Sequence, residues 1–289
     1  MRADDRAGDR AGDRADDSAH GRVEDRAGDG VRTRAAARVE AVTLQFHPDW
    51  PHNGQKVIAS LAEDGVYRSQ FTTGISNGGL TAFPGGDRWR WESRLFDGRY
   101  DHGPASARPV YGAWNRGGDP YGGAIRFGSS YLRMRPEVLD RSTFCFPDSV
   151  WEPDEVGDAR MLPTLSRMAD ESGFDDLDDA VEAHVHGQVH LHSDVEAIVL
   201  HPCFAGTDVE VEQWAERTGC RVEFHPGFRA TPDAFDEDYR GAHIVELARE
   251  LGTELTPAVV GAAARAGRHP RQWVKQVWHC LARFGRAQE

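Results

Sequence analysis

Apolar and polar residues alternate without a break from Val181 to His192. One set is Val181, Ala183, Val185, Gly187, Val189 and Leu191; the other is Glu182, His184, His186, Gln188, His190 and His192. A period of two marks a strand with one face in the core. At about 3.3 Å per residue the run is long for one strand, and Gly187 is the place for a bulge or bend. Ser193-Asp194 reads as a turn and Val195 to Leu200 as a second strand, so the pattern predicts an antiparallel hairpin over 181–200. Upstream, strands are expected at 42–46, 66–73, 110–115, 125–134 and 142–146, and one more follows at 220–224. Helices are expected at 57–61 (capped by Asn53 and stopped at Gly65), at 87–96 and 162–168, and from Thr207 to 218. The Trp89 and Phe96 side of the second helix is assigned to the core. The last third turns helical, at 242–251, 257–266 and 272–284. In the last of these Val274, Val277, Trp278 and Leu281 fall at helical spacing. Together these elements predict an α+β fold with a mostly antiparallel sheet and a helical C-terminal subregion from about residue 239.

The pattern is missing from residues 1–38. Asp-Arg-Ala-Gly recurs there, and nine acidic residues balance nine arginines. So few large apolar side chains cannot offset ordering entropy, and a disordered tail is expected ahead of a single domain over 39–289. The formal net charge of −13 argues against a general binder of nucleic acid or of anionic membranes. Cys145, Cys203, Cys220 and Cys280 have no paired spacing and read as reduced thiols, which points to the cytoplasm. No run is apolar enough for a membrane span and no secretory leader is visible; leaderless export stays open.

The polar set on the 181–192 strand carries one carboxylate and four imidazoles, a plausible chemical site. A solvated strand face is the plain alternative. Metal binding by His184-x-His186 or His190-x-His192 is another, leading to a metal-dependent hydrolase, but four ligands strung along one strand do not reach one ion, so no metal is expected. A non-catalytic binding module is the third. The loop Gly74-Ile75-Ser76-Asn77-Gly78-Gly79 offers backbone amides to a ligand. Walker and His-Glu-x-x-His motifs are missing from the sequence.

The segments Tyr67-Arg68-Ser69-Gln70-Phe71-x-Thr73-Gly74-Ile75-Ser76-Asn77-Gly78, Tyr111-Gly112-Ala113-x-Asn115, Arg126-Phe127-Gly128-Ser129-Ser130, Val181-Glu182-Ala183-x-Val185-His186-Gly187 and Trp278-His279-Cys280 resemble a bacterial domain family of unknown function, numbered 3626. That family in turn resembles ADP-ribosyltransferases, in which an early Arg, a central Ser-bearing strand and a late Glu follow one another. The resemblance implies a split, mostly antiparallel sheet of the ADP-ribosyltransferase type with flanking helices. It implies NAD as substrate and Glu182 as the catalytic carboxylate. It further implies NAD binding by Arg68, Ser129, Ser130, Tyr67, Gly74, Ser76 and Asn77, with His184 and His186 auxiliary. The acceptor (protein, nucleic acid, small molecule or water) is left open. Ala180 stands where the arginine-modifying class has an acid, and His184 where such families often have Gln.

Overall fold

Seven strands make one sheet: β1 (Val42–Phe46), β2 (Val110–Trp114), β3 (Ser130–Met134), β4 (Ser142–Cys145), β5 (Val181–Val185), β6 (Val195–Leu200) and β7 (Arg221–Phe224). Their order across the sheet is β7-β6-β3-β1-β2-β5-β4. Every neighbouring pair is antiparallel except β6–β7. The structure, a computed structural model, describes residues 35–74, 81–206 and 209–286.

Alternation sets the faces. Val181, Ala183 and Val185 are fully buried, together with Leu44, Leu132, Phe144, Ile198 and Leu200. Full burial of a Val or Leu side chain stabilises by roughly 1.5–3 kcal/mol, so β5 is firmly held and its other face inherits that rigidity. Helices α1 (Val57–Asp64), α2 (Asp87–Leu95), α3 (Leu162–Glu171) and α4 (Val209–Arg217) surround the sheet. Leu61 of α1, Leu165 of α3 and Val211 of α4 join the sheet residues in one apolar core. A second core is built from α5 (Ala242–Leu251), α6 (Pro257–Ala266) and α7 (Arg271–Phe284), which bury Ile244, Leu247, Val260, Val277, Trp278 and Leu281 against Trp50 and Ile125. Proline at the first position of α6 pre-sets its φ, and Gly267, at φ 63°, ends it in the left-handed region.

Several boundaries depart from expectation. Gly65 ends α1 as foreseen, but Lys56 starts it, and Asn53 sits at φ 49° in the turn between Pro51–His52 and Gln55–Lys56. Only Val66–Tyr67 of the 66–73 run is a strand; Gln70–Thr73 forms a helical turn. The predicted hairpin over 181–200 does not exist. Gly187, at φ 80°, turns the chain out of the sheet. Val189–His190 then pairs with Val66–Tyr67, and β6 joins the sheet with β3, β1 and β2 standing between it and β5. Of the segment expected to be disordered, residues 1–34 lie outside the described residues. Residues 35–37 run beside β7, where the Ala36 amide donates to Phe224 O at 2.8 Å and the Ala37 amide to Glu223 Oε2 at 3.1 Å. Beside β4, Phe144 and Gly157 exchange two backbone hydrogen bonds, at 2.7 and 3.1 Å.

Candidate functional site

Glu182 lies on the polar face of β5, opposite Ala113 of β2 on one side and Cys145 of β4 on the other. Its side chain is 12% exposed. The Ser149 amide donates to Oε1 at 3.2 Å and the Ser149 hydroxyl to Oε2 at 3.2 Å. His184 Nε2 lies 2.9 Å from Oε1. Burial opposes ionisation here. The hydrogen bond and charge of His184, the Arg88 guanidinium and the Ser149 hydroxyl outweigh it, so the carboxyl sits below the usual glutamate range. The result is a fixed, ionised carboxylate in a largely dry place.

A single hydrogen-bonded chain runs away from it. Thr143 Oγ1 is 3.1 Å from His184 Nδ1 and 2.9 Å from His186 Nε2, and His186 Nδ1 is 2.5 Å from the Tyr100 hydroxyl. A carboxylate only accepts, which makes His184 Nε2 a donor and, in the neutral imidazole, Nδ1 an acceptor. Thr143 then donates to His184, His186 Nε2–H donates to Thr143, and Tyr100 O–H donates to His186. With His184 neutral, every tautomer follows from the charge on Glu182. Burial, with the positive charges of His184, Arg99 and Arg141, lowers His186 to about 4. Such a chain can move a proton to or from the carboxylate by reversing its hydrogen bonds.

Helix α2 closes over this face and buries charge instead of its aromatics. Arg88 and Glu92, four apart and so on one side, are 6% and 1% exposed. Arg88 Nη1 donates to Ser149 Oγ at 3.1 Å, and its guanidinium stands 3.9 Å from the centre of the Tyr111 ring. Glu92 accepts from Arg108 Nη1 at 2.5 Å and from the Tyr111 hydroxyl at 3.1 Å. Trp89 and Phe96 are only half-buried. Neither Arg88 nor Ser149 was picked out by sequence reasoning. The signal for Arg88 was its i,i+4 pairing with Glu92; Ser149 had none.

The family of proteins of unknown function DUF3626 matches residues 41–168 and 163–280. The chain belongs to this family. The matched segments contain Arg88, Ser149, Glu182 and His184. No curated protein matches the sequence.

In this DUF3626 protein the described sequence-derived candidates other than His184 and His186 do not gather at Glu182. Ser130 pairs with Phe46, at the end of β1 opposite Val42; Val42 pairs with Trp114, which pairs with Val181. Ser130 Oγ accepts from the His201 amide at 3.3 Å, and Ser129 is buried with its carbonyl 3.0 Å from His225 Nε2. The Tyr67 hydroxyl donates to Gln45 O at 3.1 Å. Arg68 pairs with Asp64 on the surface at 3.0 Å. Tyr67 and Arg68 line a cavity of about 20 Å³ with Gly187 and Gln188, beyond the far end of β5. Gly74 ends the Gln70–Thr73 turn at φ 63°. Ser76 and Asn77 lie outside the described residues. His184 and His186 do join Glu182, whereas His190 and His192 pack on each other, with ring centroids 5.9 Å apart.

Cys145, Glu182 and His184 place one ligand atom each within 4.8 Å of one another. Thiolate, imidazole and carboxylate are a ligand set for zinc or another borderline cation. Cys145 is poorly suited to ionise by itself: burial first, then the charges of Glu182 and Asp148, push its thiol far up.

Proposed function

We propose that this DUF3626 chain cleaves the nicotinamide–ribose bond of NAD, as an ADP-ribosyltransferase or as an NAD glycohydrolase, with Glu182 as the catalytic carboxylate and a sheet of the ADP-ribosyltransferase type. What carries the reading is the state of Glu182: ionised, restrained by Ser149 and His184, and set on the rigid β5. In the reaction the C1′–N bond breaks and its electron pair leaves with nicotinamide, which departs neutral. Positive charge develops on the ribose. A preorganised carboxylate that stays charged stabilises that centre more than the ground state. Water or an acceptor nucleophile then forms the new bond at C1′. Its proton passes to Glu182 and from there to solvent.

Arg68, Ser129 and Ser130 stand away from Glu182, so the reading rests on Glu182 and on Arg88, which orients Ser149. The test is nicotinamide release from NAD, with and without cell lysate as an acceptor source. Turnover that Glu182→Gln abolishes supports the reading. Absence of NAD binding and cleavage under every acceptor condition would leave a binding module. The Cys145–Glu182–His184 trio favours a second reading, a metal-dependent hydrolase, for which stoichiometric zinc in untagged protein is the deciding result.

A further inference from the structure

Helix α7 carries Arg271, Lys275, His279 and Arg283 at four-residue intervals, which places them on one side. His279 is 4% exposed, and neither of its ring nitrogens has a hydrogen-bond partner among the described residues. Buried polar groups in folded proteins nearly always have partners, so an imidazole of this kind calls for an explanation. Two arginines from other elements, Arg126 and Arg240, act on both Lys275 and His279. Trp278 Nε1 donates to Arg126 O at 3.0 Å and pins the segment Ile125–Phe127 against α7. Arg240 lies over the Tyr239 ring at 4.3 Å and donates to the Tyr239 hydroxyl at 3.1 Å. The Nε atoms of both arginines are buried and without partners among the described residues.

Asp178 pairs with Arg126 and Asp175 with Arg283. Asp148 and Tyr239 act on Arg126, Arg271 acts on Lys275, and His47 acts on His279. The balance is cationic in a chain whose net charge is −13. Burial, then the charges of Arg126, Arg271 and Arg240, bring Lys275 down to about 8. Burial, with Arg126, Lys275 and Arg240, takes His279 to about 2.

We infer that Arg126, Arg240, Lys275 and His279 form a binding site for a phosphoryl oxyanion, the phosphate-ester or pyrophosphate group of a ligand. Guanidinium forks match phosphate oxygens two at a time, Lys275 supplies a compact charge, and His279 supplies a ring donor. Asp148 links this cluster to the carboxylate site: it interacts with both Glu182 and Arg126, and its neighbour Ser149 binds Glu182. One dinucleotide would span both ends; that extension rests on the NAD reading, whereas the oxyanion site does not.

The test is calorimetry on the full chain with pyrophosphate alone and with inorganic phosphate alone. One-to-one binding is expected, tighter for pyrophosphate. Lys275→Met and Arg240→Gln should each weaken it at least tenfold. Lys56→Met, which removes a cation paired with Glu210 elsewhere, should leave it unchanged. Near pH 8 binding should take up protons, because an anion raises Lys275, and this uptake should vanish in Lys275→Met. If that variant fails to fold, Arg240→Gln decides. Absence of binding by folded wild type at millimolar pyrophosphate overturns the site, as do variants that bind like wild type. Pyrophosphate binding without nicotinamide release keeps the site and sinks the catalytic reading; NAD cleavage without pyrophosphate binding does the reverse.

Discussion

Replacing Glu182 by Gln removes one charge and little else. With the amide oxygen at the Oε1 position, the Ser149 amide and His184 Nε2 keep their acceptor. The amide nitrogen then faces Ser149 Oγ, which already accepts from Arg88 Nη1 and has a second lone pair to offer. That contact is reversed, and the loss of its charge assistance costs about 1 kcal/mol. For a domain of this size that shifts Tm by roughly 2–4 °C. The pH dependence changes as well. A carboxyl held below its ordinary value contributes stability that is present above about pH 4.3 and lost as pH falls through its folded pKa. The Gln variant lacks that contribution, so its acid-unfolding profile should be flatter below pH 5. Turnover, by contrast, should fall about a hundredfold or more, some 2.7 kcal/mol of transition-state stabilisation, while NAD affinity stays close to wild type. Nicotinamide release and urea melts on the same preparations measure both. A folded Glu182→Gln protein that keeps full turnover would refute the argument, because the charge would then contribute nothing.

Arg108→Met should leave the buried Glu92 without its paired cation, costing about 3–5 kcal/mol in urea unfolding; a loss below 1 kcal/mol would show that the pair is not coupled as drawn. His47, His186, His201 and His225 are lowered, first by burial, to about 3, 4, 4 and 3. Below their ordinary 6.5 the unfolded chain therefore binds more protons, and Tm should decline from pH 6.5 towards 4; a Tm that rises over that interval contradicts the assignment. Exhaustive chelation should leave both Tm and NAD turnover unchanged, and a drop in either would transfer the chemistry to the Cys145–Glu182–His184 trio.

The alternation from Val181 to Val185 was readable because local period and final burial agree there, and it put Glu182, His184 and His186 on one face correctly. The C-terminal helices were readable for the same reason, with Gly267 and Pro257 marking one of them. The partner of β5 was not readable. Ser193-Asp194 has the composition of a turn, yet β6 pairs with β3 and β7, and no local signal encodes a pairing with residues far away in sequence. Helix α2 misled for a physical reason. Amphipathic reading sends aromatics inward, whereas here Arg88 and Glu92 go inward because Tyr111, Arg108 and Ser149 satisfy them. Neither Lys275 nor His279 stood out as a site, since a pattern of apolar spacing says nothing about which buried ring lacks a partner.

The residues beside the two outermost strands have a consequence for how copies of this chain meet. A strand at the rim of a sheet offers unpaired amides and carbonyls on which another molecule can extend the ladder. At β4 the exchange between Phe144 and Gly157 already occupies part of that row, and at β7 the Ala36 amide takes Phe224 O. Both rims are partly blunted, one by a loop from the middle of the chain and the other by residues just ahead of β1. The second cover is removable. A chain trimmed past residue 37 would uncover β7, and self-association through that rim, measured by light scattering as a function of concentration, would mark the short segment at 35–37 as a guard against sheet-to-sheet growth.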